Sequence, residues 1–466
     1  MEIDTDYLII GSGAVGMAFA DTLLDETDAH ITIVDRHAAP GGHWNDAYPF
    51  VSLHQPSAFY GVNSAALGTH RIDTHGPNAG FYELASGAEI NAYFDRLMQQ
   101  RFLPSGRVSY HPTSEYQGQG RMVSLLSGTA TQITVRKKIV DTTFANISVP
   151  ATHTPQFAVE EGIHRIIPNA LPQLWMRAQK GEGPQQFCIV GAGKTAMDAA
   201  VWLLRNGVLP ASIQWVVPRD SWLQNRLQTQ PGMSFFDASI GGEASKMAAF
   251  SESTTIDEVF LKLEALGQML RIDPSQTPTM FHYATISTGE LELLRTITRV
   301  IRLGRVKSIT RDTLHLEKGH VAMHSDTLYV DCTASAVKVQ TPQPVFQADR
   351  IVVQLLRMPL VTLSAAITAY VEAHGGDDNA KNRLCTPVPF PKDLKGYARA
   401  TMMSTLNQVQ WAQDKPLRQW MRQSRLDAFG KLVSEIDKDD ADKQATLVRL
   451  RTNTMAAVSA MAAHME

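Results

Sequence analysis

The feature that most restricts this fold is a short apolar strand that runs into a glycine-rich turn and then an apolar helix. The chain contains it twice. The first copy is Tyr7-Leu8-Ile9-Ile10, then Gly11-Ser12-Gly13-Ala14-Val15-Gly16, then a helical stretch from Met17 to Leu24. A further strand, Ile31 to Val34, ends at Asp35, nineteen positions after Gly16. The second copy is Gln186 to Val190, then Gly191-Ala192-Gly193-Lys194-Thr195-Ala196, then Met197 to Leu204 and the strand Ile213 to Val217. In such a turn the first glycine permits the tight bend and the second lets the backbone approach a pyrophosphate. The third lets helix and strand pack closely. The anion then faces uncapped N–H groups at the positive end of the helix dipole, and an acid at the end of the next strand accepts the ribose hydroxyls.

Two such units predict an α/β fold with two Rossmann-like dinucleotide-binding domains. They leave no room for a large separate catalytic domain, so the cofactors themselves carry the chemistry, one as a flavin and one as a nicotinamide. Arg219 follows the strand of the second unit that places an acid on the ribose in NAD proteins. An arginine fork there suits a 2′-phosphate, so NADPH is expected over NADH, with an exposed Arg219–Asp220 pair as the competing reading.

The rest of the composition narrows the partners. Of 466 residues, 44% are hydrophobic and 19% charged, which excludes collagen-like, coiled-coil and disordered classes. Lys and Arg number 43 against 46 Asp and Glu, so no basic field is available for nucleic acid. Cys188, Cys332 and Cys385 form no CxxC pair, which disfavours disulfide reductase chemistry and a metal site and suggests a reducing compartment. With no secretory leader and no bilayer-length apolar run, a cytoplasmic location without a membrane span is expected.

Between the units, Arg121 to Ile147 reads as antiparallel strands, with a break near Val149 to Thr152. The run Leu328 to Ala334 echoes Ile139 to Thr143, and both are expected to be crossings between two sheets. Helical spacing follows in Leu363 to Ala373, Tyr397 to Trp411 and Leu417 to Val433. The expected organisation is an FAD domain over 1–149, an inserted NADPH domain over 150–324, a second part of the FAD domain over 325–385, and a helical extension over 386–466. Trp411, Trp420 and the Met402-Met403 pair of that extension could line a substrate cavity or the seam of a homodimer, besides ordinary core packing.

These motifs, with Gly41-Gly42-His43-Trp44, Tyr48-Pro49, Asp198, and Pro218-Arg219-Asp220-Ser221-Trp222 followed by Arg226, resemble the flavin-containing and Baeyer-Villiger monooxygenase group of two-dinucleotide-binding flavoproteins. The resemblance spans roughly residues 1 to 230 and the Asp331 to Ala334 strand. It implies FAD on Gly11, Gly13, Ala14, Gly16, Asp35, Arg36, Gly42 and Trp44. It implies NADPH on Gly191, Gly193, Lys194, Thr195, Arg219 and Arg226. The implied activity is NADPH-dependent oxidation of a small organic substrate, with dioxygen as co-substrate, through a C4a-peroxyflavin.

The chain departs from that group at two places. Phe157, Gly162 and His164 are spaced differently from the group's Phe, Gly and His, and the sixth residue after Tyr48 is His54 where Asn or Asp is expected. An alternative alignment through Tyr60-Gly61-Val62-Asn63-Ser64 puts Asn63 in that place. His54 and Asn63 are therefore both candidate catalytic residues, each with a structural alternative. An FAD-dependent dehydrogenase or oxidase, and a flavin-binding protein without turnover, are the competing functions.

Overall fold

The computed structural model describes residues 2–145, 147–334, 337 and 340–465. Both glycine motifs lie where the sequence puts them, each between a buried parallel strand and a helix. In the first sheet Glu2–Ile10 is flanked by Ile31–Val34 on one side and by Ala130–Asp141 on the other, all parallel, with Val108–His111 beyond Ile31–Val34. The far end of Ala130–Asp141 turns back antiparallel on Arg121–Ser124, so only part of the expected antiparallel region is antiparallel. The buried faces of Ile9, Ile31 and Ile33 pack on Met17, Phe19 and Leu23 of the helix Ala14–Glu26.

The second sheet repeats this plan. Gln186–Val190 lies between Ile213–Val216 and Thr327–Asp331, and every pairing in the sheet is parallel. This corrects the expected boundary at 325. Thr327–Asp331 pairs with Gln186–Val190 and belongs to the second unit, and the chain re-enters the first sheet only at Arg350–Val352, beside Ala130–Asp141. The echo between Leu328–Ala334 and Ile139–Thr143 therefore reflects equivalent positions in two sheets. Asp141 accepts from the amide and hydroxyl of Thr143, and Asp331 does the same for Thr333.

The inserted unit also carries two small sheets absent from the sequence reading. One joins Ser221–Asn225, Met269–Leu270 and Met280–Ile286, and the other is built on Val306–Ile309, Thr313–Leu316 and Gly319–Ala322. After Arg350–Val352 the helix Val361–His374 packs on Ala14–Glu26, completing the first core. The expected helix from Leu417 to Val433 is two, Lys415–Gln423 and Ala428–Ser434, with Asp427 capping the second. A last helix, Ala441–Ala463, packs back on Gly242–Ser251 of the inserted unit. Among the described residues no helix is long and apolar enough to cross a membrane.

Candidate cofactor sites and the seam between them

At the first turn Gly11 has φ +100°, and a Cβ there would stand 2.8 Å from Thr142 Oγ1. A Cβ on Gly16 would strike the Gly11 carbonyl oxygen, so turn and helix pack backbone to backbone. The helix begins after Gly13 with no side-chain cap and no acid in its first turn. Ser86, Thr255 and Ser287 close the starts of other helices with full capping boxes. The first-turn N–H groups near Ala14 thus remain open for an anion. Gly42, with φ +57°, comes so close that its Cβ would lie 2.9 Å from Gly13 Cα.

Asp35 is buried and fully engaged. One carboxylate oxygen accepts from the Ser12 amide at 2.5 Å and its hydroxyl at 2.9 Å. The other accepts from the His37 amide at 2.8 Å and lies 3.0 Å from its Nδ1. Burial works against the charge, yet the hydrogen bonds from His37 and Ser12 hold this carboxyl below its usual range. His37 also reaches Asp46 at 2.8 Å through Nε2, and its bond to Asp35, aided by Asp46, pushes the imidazole up to about 9. No motif spacing marks His37 or Asp46, and sequence reasoning missed both. Arg36 points outward, 3.9 Å from Glu115. The Trp44 indole donates to the Tyr60 hydroxyl at 2.7 Å, which fixes the plane of the ring.

At the second turn Gly191 has φ +127°, and its Cβ would lie 2.6 Å from the Cys332 carbonyl oxygen, repeating the place of Gly11 against Thr142. Gly193 is different: among the described residues nothing beyond its chain neighbours lies within 4 Å of where its Cβ would sit, and the helix Lys194–Arg205 that it begins has no side-chain cap.

The two turns face a common seam. Tyr48, which follows the Gly41-Gly42-His43-Trp44 segment, donates to Asp198 in the helix of the second turn at 2.7 Å. Thr195 lies beside this bond, and Phe50 stacks on Trp202 at 5.2 Å. Lys194 pairs with Asp198, and also with Glu290 at 3.2 Å. Arg226 is 1% exposed, pairs with Glu290 at 2.6 Å, and donates to the His54 carbonyl at 3.0 Å and to Asn78 at 3.1 Å. Burial pushes Asp198 up. It does the opposite of what is seen at Glu290, where Lys194 and Arg226 overcome burial and hold the carboxyl far down. The charges of Lys194 and Arg226, expected on a cofactor, are thus met by carboxylates of the chain.

The two catalytic candidates part company here. The His54 imidazole, partly buried, makes no hydrogen bond within the described residues. Burial, and then the positive charges of Lys194 and Arg226, push it down to about 3, so it is neutral at pH 7. Asn63 lies against the C-terminal extension, where its Oδ1 accepts from Ser424 at 2.8 Å. Next to it Arg425 donates to the carbonyls of Val62 and Tyr60. Arg219 is exposed, and its neighbour Asp220 pairs with Arg302 at 2.9 Å, so the Arg219–Asp220 pair does not form. His164 is also exposed. The three cysteines are buried and free, and burial pushes the Cys188 thiol up to about 12.

A family model described as an NAD(P)-binding Rossmann-like domain matches residues 9–77, the first turn and the segment that follows it. The uncharacterized protein Rv2000 of Mycobacterium tuberculosis is 44% identical over 431 residues, covering 92% of this chain and 79% of the relative. The chain belongs to its family. Uncharacterized protein Mb2023 of Mycobacterium bovis, in the same family, matches to the same extent. Among solved structures, cyclohexanone monooxygenase from Rhodococcus sp. Phi1 bound to NADP+ is similar with a TM-score of 0.48 and 13% identity, over 80% of this chain and 84% of that one. The flavin-containing monooxygenase from Stenotrophomonas maltophilia has a TM-score of 0.43 and 13% identity, over 80% and 97%.

Proposed function

We propose that this protein is an FAD-containing, NADPH-dependent oxidoreductase, and within that class a monooxygenase of a small organic substrate. The observation that carries this reading is the seam: two glycine turns with uncapped helices are joined by the 2.7 Å Tyr48–Asp198 hydrogen bond. Two dinucleotides on such turns would bring their reacting ends towards each other.

The residues fit both groups. Gly11, Gly13, Ala14 and Gly16 offer the first pyrophosphate open N–H groups, and Gly42 and Trp44 would lie along the flavin. Beside Gly41 the buried Asn91 Oδ1 has no hydrogen-bond partner among the described residues, an acceptor suited to a cofactor hydroxyl. At Asp35 the fit requires an exchange, because a ribose hydroxyl would take over the hydrogen bond of the Ser12 hydroxyl. On the second turn Gly191, the empty space at Gly193 and Thr195 would take the nicotinamide dinucleotide, with the unpaired fork of Arg219 on its 2′-phosphate.

Bound together, the two cofactors supply hydride transfer and two-electron reduction of dioxygen. The chain's own part is positional. Trp44, held by Tyr60, gives a flat apolar wall. A neutral His54 donates one hydrogen bond and accepts one, which suits holding an oxygen atom in place. The test is to mix the purified protein with NADPH without air, then admit air with and without candidate substrates, following flavin absorbance, peroxide and product. Bleaching by NADPH with oxygenated product supports the proposal; a protein that takes up no FAD, or whose flavin only an organic substrate reduces, defeats it.

A further inference from the structure

A cavity of about 470 Å³ lies where the inserted unit meets the C-terminal helices, a size within the range of small-molecule sites. Its apolar wall is supplied by buried side chains, Phe59, Leu360, Trp411 and Met421 among them. Its charges do not cancel. Among the described residues Lys246, Arg357, Arg418 and Arg422 stand on the wall against two carboxylates, Glu243 and Asp427. Lys246 pairs with Glu243 at 2.6 Å and Arg357 with Asp427 at 2.8 Å, so both acids are taken and two arginines are left over.

Those two arginines belong to one short helix. On Lys415–Gln423 side chains four apart share a face, so Leu417 and Met421 form a buried stripe and Arg418 and Arg422 the stripe next to it. Met421, Arg418 and Arg422 all line the cavity, and its wall therefore passes from apolar to cationic across the width of that helix. Both arginines are exposed, which puts them where the wall meets solvent. Arg418 donates from Nη1 to the Ala412 carbonyl at 2.5 Å, and the Arg422 side chain makes no hydrogen bond or ion pair among the described residues. A cation at this mouth would be repelled, and a neutral head group would gain little from two guanidinium groups that water already serves. An oxyanion gains from both. The planar fork donates two parallel hydrogen bonds to a carboxylate or phosphate, and a cleft with low-dielectric walls and a surplus of one charge concentrates the other.

We infer that this cavity is a binding site for a single-chain amphipathic oxyanion, with its chain against Phe59, Leu360 and Trp411 and its head at Arg418 and Arg422. The experiment is calorimetric titration of the full-length protein, as purified, with decanoate, decyl phosphate, methyl decanoate and decylammonium below their solubility and micelle-forming limits, and with acetate as a head without a chain. Decanoate or decyl phosphate should bind most tightly, and the tighter of the two names the head group. Acetate should bind at least tenfold more weakly than decanoate, since it lacks the buried methylenes. Arg418→Gln and Arg422→Gln should each weaken the anions about three- to tenfold, the effect of a charged hydrogen bond reduced by exposure to solvent, and leave methyl decanoate unchanged. Both positions are exposed, so the melting temperature should hold. Tightest binding of the ester or the cation, acetate equal to decanoate, no binding of any probe, or anion affinity unmoved in the double variant overturns the assignment. The binding does not rest on the oxidoreductase reading: a protein that takes up no FAD would defeat that reading and leave this titration readable.

Discussion

Gly193 allows the proposed cofactor binding to be tested apart from folding. With φ −81° and ψ 179°, it has a conformation open to alanine, and among the described residues nothing beyond its chain neighbours lies within 4 Å of the added methyl group. Gly193→Ala should therefore leave the fold intact and change stability by no more than about 1 kcal/mol, with a gain expected from the stiffer unfolded chain. The same methyl would occupy the space over the open helix start. Loss of one hydrogen bond to a charged phosphate costs about 1.5–3 kcal/mol, so NADPH affinity should fall roughly ten- to hundredfold. FAD content should not change, because the first turn is untouched. Gly191→Ala is the contrasting control: with φ +127° and the Cys332 carbonyl 2.6 Å from the new Cβ, it should destabilise the protein itself. Equilibrium titration with NADPH, beside thermal melts and flavin absorbance, reads all three quantities. An unchanged NADPH affinity in Gly193→Ala would refute the second site.

Arg219→Ala should weaken NADPH about ten- to hundredfold and leave NADH almost unchanged, by titration with each coenzyme; equal losses would make Arg219 structural. His37 has its pKa raised from 6.5 to about 9, so its contribution to stability is full below pH 6.5 and is lost as pH rises through about 9. His37→Gln should remove that slope, worth about 1–3 kcal/mol after allowing for the part-exposed ring, in denaturant titrations from pH 6 to 10; a wild type with no slope there would contradict the Asp35–His37–Asp46 bridge. His54→Leu should leave reduction by NADPH nearly intact but divert turnover into hydrogen peroxide, whereas Asn63→Leu, which loses its Ser424 contact, should mainly lower the melting temperature. The reverse pattern would move the catalytic role to Asn63.

What was legible in the sequence was local. The turn, its strand and its helix are contiguous, and each glycine has a separate steric duty, so both glycine turns could be read from spacing alone. The sheet to which a buried parallel strand belongs could not, because such strands are apolar on both faces and carry no mark of their neighbour. That is why Thr327–Asp331 was expected in the first unit although it pairs in the second. The echo between Asp141–Thr143 and Asp331–Thr333 held the right answer: each segment ends the strand that backs its own unit's first glycine, Thr142 behind Gly11 and Cys332 behind Gly191. The helix Ala441–Ala463 escaped for the opposite reason, since few of its side chains are buried and its apolar pattern is weak.

The seam was illegible because its members meet only in three dimensions, and its chemistry bears directly on function. Lys194, Asp198, Arg226 and Glu290 balance two positive charges with two negative ones in a nearly buried cluster. Removing both members of such a pair is often neutral for stability, whereas removing one leaves an uncompensated charge and costs about 3–5 kcal/mol, so the cluster is better suited to fixing register than to adding stability. Its hydrogen bonds say which register. Arg226 holds the His54 carbonyl and Asn78, and the Ser287 hydroxyl donates to the Pro77 carbonyl at 2.5 Å, so the second unit grips the first beside the catalytic candidate. An apolar seam of the same area could slide, since dispersion contacts have no preferred direction. Here a slide would strip Glu290 of its partners while it remained buried. The relative placement of the two turns, on which the proposed hydride transfer would depend, is thus set by charges that also add to burial in keeping the His54 imidazole neutral.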